Sequence, residues 1–211
     1  MKKVLLAVVM FAMVFAAVPV FAENSYVSLR AGAFSPNSDD NGLKDFDTGY
    51  NIEIAYGYKI MPNFAVEGGI GRYSTKREES VSGTSYGVDY SDSFSVTASV
   101  IPITATAKGI LPIADGKFEL YGGAGLGYYL ASSEYESKTE FEGYPELSTS
   151  TSGSDSANAF GFHVVGGADF NISETIAVGG EAKWFSVEPD FGGGSVKMGG
   201  IIFNAGVKYK F

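Results

Sequence analysis

Cysteine is absent from the 211 residues, and histidine and tryptophan occur once each, as His163 and Trp184. Without cysteine the chain holds no metal–thiolate centre, no cysteine nucleophile and no disulfide. Basic residues are also few: 15 Lys and Arg stand against 24 Asp and Glu, a formal net charge of −9. That balance argues against a nucleic-acid partner. Beyond residue 22 no stretch is long and apolar enough for a membrane helix. No helical hydrophobic period appears there either.

The long apolar run is at the start. "MKKVLLAVVMFAMVFAAVPVFAEN" opens with Lys2 and Lys3 and ends in Val20 and Ala22, small residues at −3 and −1 of a cut before Glu23. This is the pattern of a secretory signal peptide over 1–22, which leaves one domain over 23–211. Val4 to Ala22 is also long enough to remain as an anchor helix, but Pro19 and the small residues suit a cleavage region better. Removing Lys2 and Lys3 leaves 13 basic against 24 acidic residues, a net charge of 13 − 24 = −11.

What the chain has in quantity is glycine, at 28 residues, and Tyr plus Phe, at 13 and 16. The glycine share is about twice the ordinary one, and with no collagen-like period it indicates strands and turns. Eight stretches alternate with period two: 25–34, 49–59, 64–73, 93–109, 117–131, 158–170, 176–187 and 200–211. In the second, Tyr50, Ile52, Ile54, Tyr56 and Tyr58 share one face, and Asn51, Glu53, Ala55 and Gly57 the other. Connections alternate too. "IMPN", "ILPIADG" and "NISET" are short, whereas 35–48, 74–92, 132–157 and 188–199 are long. An all-β, eight-stranded antiparallel up-and-down barrel accounts for this pattern, and a soluble β-sandwich accounts for it less regularly.

The apolar face carries Val, Ile, Leu and aromatics, as a lipid-facing band requires, while the opposite face is mostly small or polar, as a narrow filled lumen requires. With both termini on the short-turn side, Tyr58, Phe64, Phe118, Phe170, Tyr209 and Phe211 gather at one rim. Tyr50, Phe94, Tyr128, Phe160 and Trp184 gather at the other. These are two interfacial girdles. An open sheet edge is not viable in hydrocarbon, so the last strand, "FNAGVKYKF", is expected to pair with the first, "SYVSLRAGAF". Its alternation then has to persist to Phe211.

The order and spacing of "YVSLRAGAFSP", "FAVEGGIGRY", "VIPITATAKGIL", "YGGAGLGYYL", "FGFHVVGGADFNIS", "IAVGGEAKWF" and "FNAGVKYKF" resemble the small outer-membrane β-barrel domain family, the eight-stranded OmpA/OmpX-like barrels of Gram-negative bacteria. The resemblance covers essentially all of 23–211. It implies a barrel-only member in the cell outer membrane, surrounded by outer-membrane lipid and lipopolysaccharide. It also implies that Tyr209 and Phe211 form a terminal signal for the outer-membrane assembly machinery.

Little points to catalysis, and no catalytic, cofactor-binding or metal-binding residue is expected. His163 falls on the lumen face with no serine singled out beside it. "YGGAGLG" misses the dinucleotide-binding spacing, and no helix follows it. The charges predicted to point inward, Arg30, Glu53, Glu67, Glu181 and Lys183, are more informative. Buried charges have to be paired, so they read as an internal salt-bridge network, with a gate in a narrow ion pathway as the alternative. The loop 132–157 holds six acids against one lysine and reads as a solvated surface loop, although an adhesion surface or a divalent-ion bridge to phosphorylated lipid is also open. No loop has calcium-ligand spacing. The expected role is an envelope structural or surface-interaction barrel, as a monomer. A narrow porin-like pore is the alternative, and a lipid-modifying enzyme is the least favoured reading.

Overall fold

The computed structural model describes residues 24–37, 43, 45–85 and 88–211. The expected signal peptide, 1–22, and part of the first long connection lie outside the described residues. Eight strands follow in chain order: β1 (Ser25–Pro36), β2 (Gly49–Met61), β3 (Phe64–Ser85), β4 (Val88–Ile113), β5 (Phe118–Phe141), β6 (Thr149–Asn171), β7 (Ile176–Val187) and β8 (Gly200–Lys210). Each pairs antiparallel with the next, and β8 returns to β1, so the sheet closes. The closing ladder runs from Pro36↔Gly200 to Tyr26↔Lys210, and the Phe211 amide donates to the Ser25 carbonyl at 2.9 Å. The expected alternation to the chain end is therefore that of a wall strand.

The short connections are tight turns. Between β6 and β7 the Ser173 hydroxyl accepts from the amides of Thr175 (3.3 Å) and Ile176 (3.0 Å), a local bond that suits serine to turns. Between β4 and β5 the backbone is left-handed at Ala114, Asp115 and Gly116, with φ of 52°, 54° and 79°.

Four strands are much longer than the sequence reading. β3, β4, β5 and β6 have 22, 26, 24 and 23 residues, whereas β1, β2, β7 and β8 have 11 to 13. A tilted strand crosses a bilayer in about 9–11 residues. The segments read as loops, 74–92 and 132–157, are thus largely hairpin. Their register continues that of the wall, from Tyr73↔Val100 to Ser85↔Val88 and from Ala131↔Ala157 to Thr139↔Thr149. Outside lipid no apolar alternation is demanded, so the sequence signal faded while the ladder continued. The excess of about 12 residues extends roughly 40 Å along the strands. Phe94 moves with this correction. It lies opposite Glu79 and Ser137 on the extension, on the side of Ala98 and Val100, and is not part of the outer girdle.

The assignment of faces holds on the wall. Leu29, Ile52, Ile54, Val66, Leu126, Phe162, Val164, Phe203 and Val207 are exposed, while Arg30, Asn51, Glu53, Ala55, Glu67 and Glu181 are buried in the lumen. Ring pairs mark both rims: Phe118–Phe170 and Tyr209–Phe211 at the short-turn end, Tyr128–Phe160 at the other.

An arginine side chain at mid-bilayer costs roughly 2–4 kcal/mol. Ile54→Arg should therefore lower the urea midpoint of vesicle-inserted protein by that order. Ala55→Ser, one residue on but facing the lumen, should change it little. The reverse ranking would mean that the faces are inverted.

Candidate functional site

The lumen is filled in three levels. At mid-height Arg30 of β1 reaches across to β2 and β3. Its Nη1 donates to Glu53 Oε1 at 2.9 Å and to Glu67 Oε1 at 3.0 Å, and its Nη2 donates to Glu67 Oε2 at 2.9 Å. Its Nε lies 3.7 Å from Glu181 Oε2. A planar guanidinium can serve several carboxylates at once in a way an ammonium cannot. Lys183 pairs with Glu53 and lies 3.9 Å from Glu181. All five lumen residues expected from the sequence are therefore brought together.

The sequence reading missed a sixth member, Lys108. Its Nζ lies 2.8 Å from Glu67 Oε1 and 3.0 Å from Glu181 Oε2. With it, three cations face three carboxylates and the cluster is neutral. The signal was present in "ITATAK", where Thr104, Thr106 and Lys108 alternate with Ile103, Ala105 and Ala107. Two tyrosines satisfy further acceptor sites: Tyr26 donates to Glu67 at 3.0 Å and Tyr121 to Glu181 at 3.3 Å.

Towards the short-turn end a second cluster follows. Asp169 pairs with Lys208, whose ammonium lies 4.6 Å from the Tyr26 ring centroid. Glu119 binds both Lys59 and Lys210 at 3.0 Å. The lumen pocket between the two clusters, lined by Ser28, Arg30, Asp169, Glu181, Asn204 and Lys208, measures about 10 Å³, room for one water at most.

Towards the long-hairpin end the lumen is not polar, contrary to expectation. Phe34, Tyr73, Tyr129 and Phe185 point inward and pack together, tilted for Phe34–Tyr73 (centroids 4.6 Å apart) and Tyr73–Phe185 (5.0 Å) and stacked for Tyr129–Phe185 (5.8 Å). Val100, Val187, Ile202 and the two flanking connections, through Leu43 and Met198, complete this plug. Taking hydrophobicity as the mark of the outer face hid it.

His163 sits between plug and network, fully buried, with Nε2 2.8 Å from Thr106 Oγ1. It is a filler hydrogen-bonded through that nitrogen alone among the described residues, its buried Nδ1 having no partner there. Among the described residues no three His, Asp or Glu side chains converge as metal ligands.

Removing one partner of a buried pair strands the other, at a cost of about 3–5 kcal/mol. An exposed pair such as Lys138–Glu136 is screened by water and contributes little. Lys108→Met should therefore lower the unfolding midpoint far more than Lys138→Met. Equal midpoints in the same detergent would refute a coupled network.

The fold is that of known outer-membrane barrels. Neisserial surface protein A of Neisseria matches at 15% identity and a TM-score of 0.56, over 89% of this chain and 97% of that one. The N-terminal β-barrel domain of OprF of Pseudomonas aeruginosa matches at 11% identity and a TM-score of 0.48, over 90% and 98%. Ail, the attachment invasion locus protein of Yersinia pestis, matches at 16% identity and a TM-score of 0.37, over 89% and 99%. No curated protein matches the chain in sequence. The model of the outer membrane protein beta-barrel domain matches residues 4–211, nearly the whole sequence, and the chain belongs to that family.

Proposed function

We propose that this chain is a non-conducting, non-enzymatic barrel of the outer membrane that stiffens the envelope and displays an acidic β-sheet at the cell surface. One observation carries this reading. The lumen is filled by an ion network and an aromatic plug, while four strands continue well past the wall. A filled lumen supports a role carried by the outer surfaces of the barrel. A leader cleaved before Glu23 delivers the chain to the periplasm, and the mature barrel stands as a monomer among outer-membrane lipid and lipopolysaccharide.

The projecting sheet suits surface contact. One side carries Val81, Phe94 and Tyr135, all exposed, and the other carries Lys76, Glu78, Glu134, Glu136 and Lys138. Its tip, Glu142 to Leu147, is exposed and includes a single 3-10 turn at Pro145–Leu147. A narrow ion pathway is the second reading. It is favoured by Glu181, which lies within reach of Arg30, Lys108 and Lys183 and so has partners to exchange.

Planar-bilayer recording separates the two. Purified protein that is folded by the heat-modifiability criterion should give no stable unitary steps. Reproducible steps would make the pore reading the right one. Protease added to intact cells should cut within 142–148, and full protection would overturn surface display.

The assembly machinery is the other proposed partner, through Tyr209 and Phe211. Both rings are exposed at the rim, edge to face at 5.1 Å. Deleting Phe211 removes one such ring, about 1–3 kcal/mol by transfer area. The closed barrel should survive that loss, so the variant should refold in detergent almost like wild type while its outer-membrane level falls. Unchanged levels in cells would leave Phe211 as wall only.

A further inference from the structure

Among the described residues one charged side chain stands on the lipid-facing side of the wall. The outward rows of β1, β2 and β4 to β8 between the two rims hold aliphatic, aromatic, small or hydroxyl residues. On β3 the outward row reads Phe64, Val66, Gly68, Ile70, Arg72, Ser74. Arg72 is exposed and lies opposite Ile52. No ion pair joins it to a carboxylate of the described chain. Its single bond is a long one, Nη2 to Ser99 Oγ at 3.5 Å.

Its height is what makes it usable. A lone arginine is costly at mid-bilayer and nearly free at the interface. The next outward residue on β3, Ser74, lies opposite Tyr50, a ring of the long-hairpin rim. Around Arg72 the wall changes to hydroxyls. Ser74 Oγ and Ser99 Oγ are 2.8 Å apart, and Ser132 Oγ donates to the Ser99 carbonyl at 3.4 Å. Lys76 stands four residues further along the same face, roughly 13 Å on. Of the carboxylates of this face, Glu134 is level with Lys76, two residues beyond the serine row, and Glu78 lies further out and is held by Lys76. A guanidinium with hydroxyl donors beside it, at headgroup level and without an acid of its own, fits a phosphate.

We propose that Arg72 and Ser99, flanked by Ser74 and Ser132, dock a phosphate group of an outer-leaflet lipid. The inference rests on the reading above that the long-hairpin end faces outward, and it adds a residue and a ligand chemistry to that reading. The arginine fork takes two phosphate oxygens, and the half-exposed Ser99 hydroxyl can donate to a third while accepting from Ser74; the Ser132 proton is already given to the Ser99 carbonyl.

The test uses full-length mature protein in neutral detergent, with native mass spectrometry of bound lipid as the readout. The probes are diphosphoryl lipid A, the same lipid A with its phosphates removed, and inorganic phosphate. Wild type should bind diphosphoryl lipid A about tenfold more tightly than the dephosphorylated form, as one charge-assisted pair predicts. Arg72→Gln should abolish that preference, Arg72→Lys should keep part of it, and Glu134→Gln should not reduce it. Millimolar inorganic phosphate should not displace the lipid. Displacement would show a free-anion site and overturn the lipid assignment. An unchanged preference in a heat-modifiable, folded Arg72→Gln would overturn the site itself. Loss of heat-modifiability in wild type would instead sink the barrel reading on which it stands.

Discussion

Hydrocarbon offers no hydrogen bonds, so a chain that crosses it as sheet has to pair every backbone group with itself. Closure of β8 onto β1 is the consequence, and most of the structure depends on it. Closure with eight strands leaves an interior just wide enough for side chains. Large inward residues then fit only where the facing positions are empty. Gly57 lies under the Tyr26 ring, Gly167 under Tyr121, Gly125 against His163, and Gly161 and Gly127 against Tyr129. A Cβ at any of these would run into the ring. The abundance of glycine in the sequence is thus largely the imprint of a narrow lumen.

The narrowness also explains why the lumen charges are matched so closely. With almost no water space among them, a carboxylate has to find its cation in another strand. Arg30, Lys108 and Lys183 come from β1, β4 and β7, and Glu53, Glu67 and Glu181 from β2, β3 and β7. The network therefore ties together strands that share no ladder. An apolar filling of equal volume could stabilise as well or better. It would, however, make both faces of every strand hydrophobic. A ten-residue strand with polar residues at alternate positions stays well below the hydropathy of a membrane helix. That allows an exported chain to pass the inner membrane before it folds.

Legibility in the sequence followed the source of each signal. Strand number, order and inward parity were readable because lipid on one side and a lumen on the other impose opposite chemistries at adjacent residues. The same parity found Arg30, Glu53, Glu67, Glu181 and Lys183. Lys108 obeys it equally, sharing the polar side of β4 with Thr104 and Thr106 against Ile103, Ala105 and Ala107. Phe34, Tyr73 and Phe185 were missed for a deeper reason. Hydrophobicity served as the mark of the outer face, and a plug inverts that mark at one end of the lumen. The extensions of β3 to β6 were illegible because "TSTSGSDSA" carries no apolar alternation. Its strand character comes from the register it inherits from the wall.

The wall ends where its outward residues change chemistry. Ile70, Ile103 and Leu126 lie on its outer side, Ser74, Ser99 and Ser132 form a hydroxyl row, and beyond them the same face carries Lys76, Glu134 and Glu136. The ladder itself is continuous across this line, so backbone pairing does not mark the boundary and side chains alone do. Beyond it, among the described residues, the sheet has two edges again: the β2–β3 ladder ends at Ser74, with one further bond from the Asp47 amide to the Lys76 carbonyl, and the β6–β7 ladder ends at Gly161. On β3 the edge is studded with Lys76, Arg77, Glu78 and Glu79, the kind of charge that discourages edge-to-edge pairing. On β6, from Thr149 to Phe160, it is mostly Ser, Thr, Ala and Gly with Asp155 as its one charge. Closure removes the edge problem inside the membrane, and outside it the chain manages one edge with charge while leaving the other lightly guarded.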